Sequence, residues 1–431
     1  MERTNASRGR PAASGPRRPV RRVALAALAS LAVLGASCGP EPGDPPGVSP
    51  PPDPFVRLPY LQAVEGDRAV IRWRVSGGDS TRLAWRAAGD SSWRAGRPQR
   101  GPRGERWVVL EGLAPGSAVR YRVEAGDLVM GPYRFRSAPT DTASGPVRVL
   151  AFGDSGWGSA VQVALARRMF EAVREGRDLA LHVGDVAYPD GSARDLTVRH
   201  FRVYAPLLAR TPFRPVPGNH DVRAGGGAPY DRAFGAPEGG DRRYWRLRRG
   251  RILFVGLDTS NDAARDSLAE RAGAQWRWLE RTLADAAADT TLDWTVAVTH
   301  YPLYSRGVGL SGHGPSEELR EALEPLFLRH GVDLVLAGHE HHYERSHPVR
   351  EGVREPPGCA PVHVITGGGG ATRFARSVEP GGHAARVSRR HHYVDLVIRP
   401  DHVDGRAVDP DGSVIDRFRL VPYESGDPSC G

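Results

Sequence analysis

Five short polar clusters gather residue types that hold metals: Gly153-Asp154-Ser155-Gly156, Gly184-Asp185-Val186-Ala187-Tyr188, Gly218-Asn219-His220-Asp221, Thr299-His300 and Gly338-His339-Glu340-His341. Carboxylate, amide, phenol and imidazole are oxygen and nitrogen donors suited to iron, manganese or zinc. Each cluster alone has a plainer reading. A Gly-Asp pair ordinarily makes a turn, and Gly-Asn-His-Asp serves equally as a capping turn. His339 and His341, at alternate positions of an extended segment, project to one side as two ligands would, and so do two histidines of a solvated loop. The ordered set carries the inference, because each cluster directly follows a short apolar run.

Those runs are the elements that must position the clusters. Val147 to Phe152, Leu179 to Val183, Phe213 to Val216, Ile252 to Leu257, Trp294 to Val298 and Leu334 to Leu336 read as strands. Between several of them lie helical patterns, Val161-Leu165-Met169-Val173 and Trp276-Leu279-Leu283, with apolar residues three or four apart. This alternation is that of an α/β domain with covered sheets. Ligands collect beyond the carboxyl ends of strands in such sheets, so clusters distant in sequence can meet in one crevice. Val362 to Thr366, Tyr393 to Ile398 and Val414 to Leu420 add further strand-like runs.

Upstream the pattern differs. From Phe55 to Ala138, short alternating runs such as Ala69 to Val75, Leu83 to Arg86, Trp107 to Leu110, Val119 to Val123 and Tyr133 to Phe135 are separated by Gly- and Pro-containing turns, the spacing of an antiparallel sandwich. Leu113-Ala114-Pro115-Gly116 followed by Val119-Arg120-Tyr121 resembles the tyrosine corner of fibronectin type III domains.

From about Phe55 to Leu420 the chain resembles the purple acid phosphatases, a branch of the calcineurin-like metallophosphoesterases. The wider superfamily has a His two residues after its first Asp. Here Gly156 stands there and Tyr188 is supplied instead, the exchange that marks the purple branch. His341-His342-Tyr343-Glu344-Arg345-Ser346 and the glycine-rich turn Gly367 to Gly370 are also similar to the family's.

The resemblance implies an α/β metallophosphoesterase fold, two packed mixed β-sheets flanked by helices, preceded by an all-β fibronectin type III-like sandwich. It implies a dinuclear centre in which Asp154, Tyr188 and His341 hold Fe(III), Asp185 bridges, and Asn219, His300 and His339 hold a divalent Fe, Zn or Mn. The activity implied is hydrolysis of phosphate monoesters by a metal-activated hydroxide. His220 is similar to the family histidine that contacts the phosphate or its leaving group. His313, in Ser311-Gly312-His313-Gly314, is a second candidate, with looser spacing from His300. A phosphodiesterase or nucleotide hydrolase on the same metal frame, and a non-catalytic surface-binding lipoprotein, are the rival readings. His182, inside an apolar strand, reads as a core residue; His347, His363, His383, His391 and His392 receive no role.

The ends and the bulk composition bound the setting. Residues 1–38 are organised as an export signal: basic residues ending at Arg21-Arg22, an apolar stretch from Val23 to Leu34, then Gly35-Ala36-Ser37-Cys38, a permissive lipoprotein cleavage site. The expected setting is periplasmic or cell-surface, with membrane attachment through a lipid on Cys38, or else secretion. Residues 39–54, dense in Pro and Gly, read as a disordered tether; 55–138 form the sandwich, 146–422 the catalytic domain and 423–431 a tail. With Cys38 lipidated, Cys359 and Cys430 remain, and in an exported protein an even pair invites a disulfide without requiring one. The net charge of +9 arises from arginine alone, since the 431 residues contain no lysine. The arginines, including those at positions 242–249, are spread along the chain, so no nucleic-acid partner is expected. At 40% hydrophobic and 25% charged residues, bulk disorder is excluded.

Overall fold

The computed structural model describes residues 42–431 apart from 78–79, 236–242, 308–313, 374–380, 425–429 and 431. The export signal with Cys38, the candidate His313, Arg242 and the start of the tether lie outside the described residues.

The catalytic layers hold two mixed sheets face to face. One runs in the order Phe213–Pro215, Leu179–His182, Val147–Phe152, Tyr393–Ile398, Val403–Val408, Val414–Leu420. Its first three strands are parallel. In the other, Ile252–Gly256, Trp294–Val298, Leu334–Ala337 and Val362–Thr366 lie parallel in that order, flanked by antiparallel Trp245–Arg249 and Tyr343–Arg350. Alternate side chains of both sheets interdigitate: Val149, Leu181, Phe254, Val296, Leu334, Val364 and Leu396 share one buried core. The opposite faces carry helices. Leu150, Phe152 and Ala180 pack against Ala160–Arg174, whose Leu165, Ala166 and Met169 face the sheet. Val255, Ala297 and Val335 meet Gly273–Ala288 and Glu317–Arg329 through Leu279, Leu283 and Leu323. Serine caps start the first and last of these helices: Ser159 accepts from the Gln162 N–H and Ser316 from that of Leu319.

Several elements lacked a readable pattern. The strand Phe55–Val64 carries Pro59 and pairs with Ala69–Val75 through three register shifts, so its alternation is broken. It opens a pair of four-stranded antiparallel sheets closed over Ile71, Trp73, Leu83, Val108, Val119 and Phe135. Tyr121, the corner tyrosine, does not bond within the sandwich; its buried hydroxyl donates to the Ala209 carbonyl of the catalytic layers at 2.8 Å. Tyr60 Oη to the Ala233 carbonyl (2.9 Å) and Arg72 Nη1 to that of Gly235 (3.0 Å) make further ties across the same boundary.

The tether expectation is corrected for residues 42–54. The Arg199 guanidinium donates to the Pro42 and Gly43 carbonyls at 3.0 and 2.8 Å, the Gly43 N–H donates to the Trp157 carbonyl, and Val48 packs on the helix-side core. Proline-rich backbone has carbonyls to spare, and a buried guanidinium with five donors fixes them. Cys359 and Cys430 form a disulfide that ties the tail to the domain.

Buried Asp333 supplies a pH-dependent stability term. Its carboxylate accepts from the Thr295 and Tyr423 N–H groups, both at 2.6 Å. Burial nevertheless pushes its pKa up to about 7. The native state therefore holds this proton more tightly than the unfolded chain, whose Asp titrates near 3.9. The contribution is complete below about pH 4 and is lost as pH rises through about 7, a swing of a few kcal/mol at about 1.36 kcal/mol per unit. The denaturant midpoint of wild type should fall relative to that of Asp333→Asn as pH rises from 4 to 7; a difference that does not change with pH would refute this.

Candidate metal centre

All five clusters meet where the two sheets abut. Asp154, Asp185 and His339 each take positive φ, at 52°, 54° and 69°. For residues with a Cβ this left-handed backbone is uncommon and persists where the surroundings impose it. Here the loops are zipped together: the Asp154 N–H donates to the Gly184 carbonyl at 3.0 Å and that of Ser155 to the Asp185 carbonyl at 3.2 Å. The glycines make room. A Cβ on Gly184 would lie 2.4 Å from His300 Nδ1, and one on Gly218 would lie 2.2 Å from Asp185 Oδ1.

The donors converge in two groups. Tyr188 Oη lies 3.2 Å from Asp154 Oδ1 and 3.1 Å from His341 Nε2. His300 Nε2 lies 3.0 Å from Asn219 Oδ1 and 3.6 Å from Asp185 Oδ1. Single ligand atoms of Asp154, Asp185 and His300 fall within 4.8 Å of one another, linking the groups. The His339 ring stands 5.1 Å from that of His300, and its backbone N–H donates to Asp154 Oδ2 at 3.0 Å. Asp154 is fully buried and Asp185 nearly so.

Carbonyls behind the histidines settle which nitrogen faces inward. Because a carbonyl only accepts, His300 Nδ1–H donates to Val183 O (2.9 Å), His341 Nδ1–H to Thr372 O (2.6 Å) and His220 Nδ1–H to Pro189 O (2.6 Å). In the neutral ring each Nε2 is then a lone pair aimed at the centre. His300 Nε2 thus faces the Asn219 and Asp185 oxygens, and His341 Nε2 faces Asp154 Oδ1 at 3.5 Å, acceptor against acceptor. Such a convergence calls for positive charge among the donors, and the N/O donor set fits metal cations.

Tyr188 is enclosed by the rings of His220 at 4.4 Å and Trp157 at 4.9 Å. Burial, with the Asp185 and Asp154 charges, raises its phenol well above the ordinary tyrosine pKa. Its ionisation therefore needs a strong local cation. His220 Nε2 lies 3.9 Å from Asp185 Oδ2, and its backbone N–H donates to Asp185 Oδ1 at 2.8 Å.

Residues 147–343 match the family model for calcineurin-like phosphoesterases. Purple acid phosphatase 15 of Arabidopsis thaliana is 28% identical over 298 residues, covering 61% of this chain and 53% of that protein. Human acid phosphatase type 7 is 30% identical over 339 residues, covering 73% of this chain and 76% of that protein. The chain belongs to the purple acid phosphatase family. Purple acid phosphatase PPD1 from yellow lupin seeds shares its fold, with a TM-score of 0.72 at 18% identity over 84% of this chain and 74% of that one.

Membership in the purple acid phosphatase family gives Gly156 a physical reading. A Cβ there would sit 2.1 Å from the Val186 carbonyl oxygen and 2.5 Å from Ala187 Cα. The Tyr188 N–H donates to the Gly156 carbonyl at 2.9 Å. The backbone that delivers Tyr188 thus occupies the space a side chain at Gly156 would need.

Two supporting residues had escaped the sequence reading. Asp221 accepts from the Val186, Ala187 and Gly218 N–H groups at 2.9, 3.2 and 2.8 Å, joining the loops of Asp185 and Asn219. Arg199 donates to the Tyr188 carbonyl at 2.5 Å while pairing with Asp195 at 2.6 Å. Asp221 was visible as part of a cluster; Arg199, on a later helix, carried no signal. Two other histidines have partners of their own. His182 Nε2 meets Ser155 Oγ at 2.9 Å, and burial lowers its pKa to about 3. His383 pairs with Glu344 at 2.8 Å, opposite His342.

Proposed function

We propose that this chain hydrolyses phosphate monoesters at a dinuclear Fe(III)–M(II) centre, M being iron, zinc or manganese. The observation supporting this reading is that the seven donors divide into a phenol-bearing group, Asp154, Tyr188 and His341, and a neutral group, Asn219, His300 and His339, with Asp185 between them. The hard phenolate and carboxylates favour the trivalent ion, and the amide and imidazoles the divalent one. When bound, the pair would neutralise phosphoryl oxygens and acidify a water. The chain's own part is orientation. Carbonyl-backed His300 and His341 keep fixed lone pairs, and Asp185 keeps a negative charge between the groups. His220, with its Nδ1–H committed to the Pro189 carbonyl, has only Nε2 left, and that nitrogen donates to a phosphoryl oxygen or leaving group when it is protonated.

Export is part of the same proposal: the Cys359–Cys430 bond suits an oxidising compartment, in keeping with the signal-like first 38 residues.

Iron-loaded protein should show a visible band from Tyr188 phenolate to Fe(III), absent in Tyr188→Phe. A colourless but active wild type would remove iron from the assignment and leave the hydrolase. Nitrophenyl phosphate should be cleaved at least about tenfold faster than bis-nitrophenyl phosphate or nucleotides. The reverse order would establish the diesterase or nucleotide reading, and metal-loaded protein inert on all three would establish a binding protein.

A further inference from the structure

The sandwich presents a face whose charge its fold does not explain. Strands Thr81–Ala87, Ala118–Ala125 and Leu128–Arg136 form consecutive rungs of one sheet. Leu83, Trp85, Val119, Tyr121, Val123 and Phe135 point into the core, so the alternate positions point away. Those outward positions include Arg82, Arg86, Arg120, Arg122, Arg134 and Arg136. The pairing sets Arg86 opposite Arg120, and Arg120 opposite Arg134. Three like charges directly across adjacent strands destabilise a sheet. Among the described residues none of the three has an ion-pair partner, and the face's carboxylate, Glu124, is taken by Arg122 at 3.0 Å. Arginines spread through the sequence are thus collected by the register into one patch. Arginine-rich composition alone does not account for it, since the chain carries 50 acidic residues against its 59 basic ones.

We propose that this face docks on an anionic phospholipid bilayer. The match is one of charge, because a row of unpaired guanidinium groups on a sheet surface complements a plane of phosphate headgroups. The same face carries Trp93, with the Arg86 and Arg122 guanidinium groups over its ring at 4.9 and 4.8 Å, and Val129, 54% exposed. Aromatic and aliphatic groups among arginines suit the headgroup boundary. With guanidinium groups already over the indole, base stacking of the kind single-stranded nucleic acid uses is disfavoured there. The contact is independent of the catalytic reading and of any lipid on Cys38.

The chain from Pro40 onward, one compact unit without the apolar leader, should sediment with phosphatidylcholine vesicles containing 30% phosphatidylglycerol and not with phosphatidylcholine alone. Binding should fall steeply between 0.05 and 0.5 M salt. Arg86→Gln/Arg120→Gln/Arg134→Gln should weaken partitioning by about a hundredfold, at roughly fivefold per arginine. Its thermal midpoint should be unchanged or raised, because repulsion is relieved. A triple variant that sediments like wild type, or wild-type binding that is indifferent to phosphatidylglycerol, would overturn the proposal. So would tighter binding to a DNA oligonucleotide than to the vesicles.

Discussion

Asp185→Asn is expected to lower kcat/KM on nitrophenyl phosphate by roughly 10³–10⁴-fold, the several kcal/mol that paired cations contribute at about 1.36 kcal/mol per factor of ten. The amide is isosteric and its oxygen can still accept the His220 N–H, now bonded to Asp185 Oδ1 at 2.8 Å, so the fold should persist. What disappears is the negative charge between the donor groups. Against its burial, the charged forms of His300 and His220 and the His220 N–H hold the Asp185 carboxyl well below the usual carboxylate range, and bound cations would take the place of those imidazolium charges, so the wild-type group is an anion in either case. Asn219 already contributes a neutral amide beside it, and a second amide would leave the His300 side without a carboxylate. Metal content and rate should therefore fall together, with the far-UV spectrum unchanged. An Asp185→Asn protein that retains two metals per chain and turns over within tenfold of wild type would overturn the proposed place of Asp185 between two metal ions.

The same residue shows how far the sequence could be read. Asp154, Asp185, His300 and His339 were legible because each directly follows a short apolar run, and strand ends are where this sheet architecture gathers ligands. Tyr188 and Gly156 were legible through the family resemblance; that they are two sides of one steric constraint needed the 2.1 Å approach of Val186 O. The strand Phe55–Val64 was obscured by Pro59 and its bulges. Tyr121 looked like a corner residue of the sandwich, yet nothing local to it announces that its hydroxyl ends on Ala209. Arg86, Arg120 and Arg134 are unremarkable until register makes them neighbours. Residues 42–54 looked unable to bury anything, and they are held through main-chain carbonyls, which composition does not report. Local pattern reaches the elements and their ends; partners chosen across the fold lie beyond it.

Asp221 tests the consequence of such a long-range partner. Asp221→Ala is expected to cost about 3–5 kcal/mol of stability, because the Val186, Ala187 and Gly218 N–H groups are left buried without an acceptor, at about 1–3 kcal/mol each before relaxation. Burial and the nearby Asp185 charge raise the Asp221 pKa, while its three N–H bonds pull it down. Cations bound beside Asp185 would offset that repulsion, so folding and metal loading are coupled through this carboxylate. Asp221→Asn keeps one acceptor oxygen but turns an amide N–H₂ toward a backbone donor, so about 1–3 kcal/mol is expected. In both variants the Asp185 and Asn219 loops lose the clamp between them, and metal affinity should fall about 10–100-fold, as for other groups that orient ligands. Urea unfolding of apo and metal-loaded protein separates the two effects: the gap between variant and wild type should widen when metal is present. If Asp221→Ala unfolds at the wild-type urea concentration, or binds metal as tightly as wild type, the carboxylate does not hold the centre together.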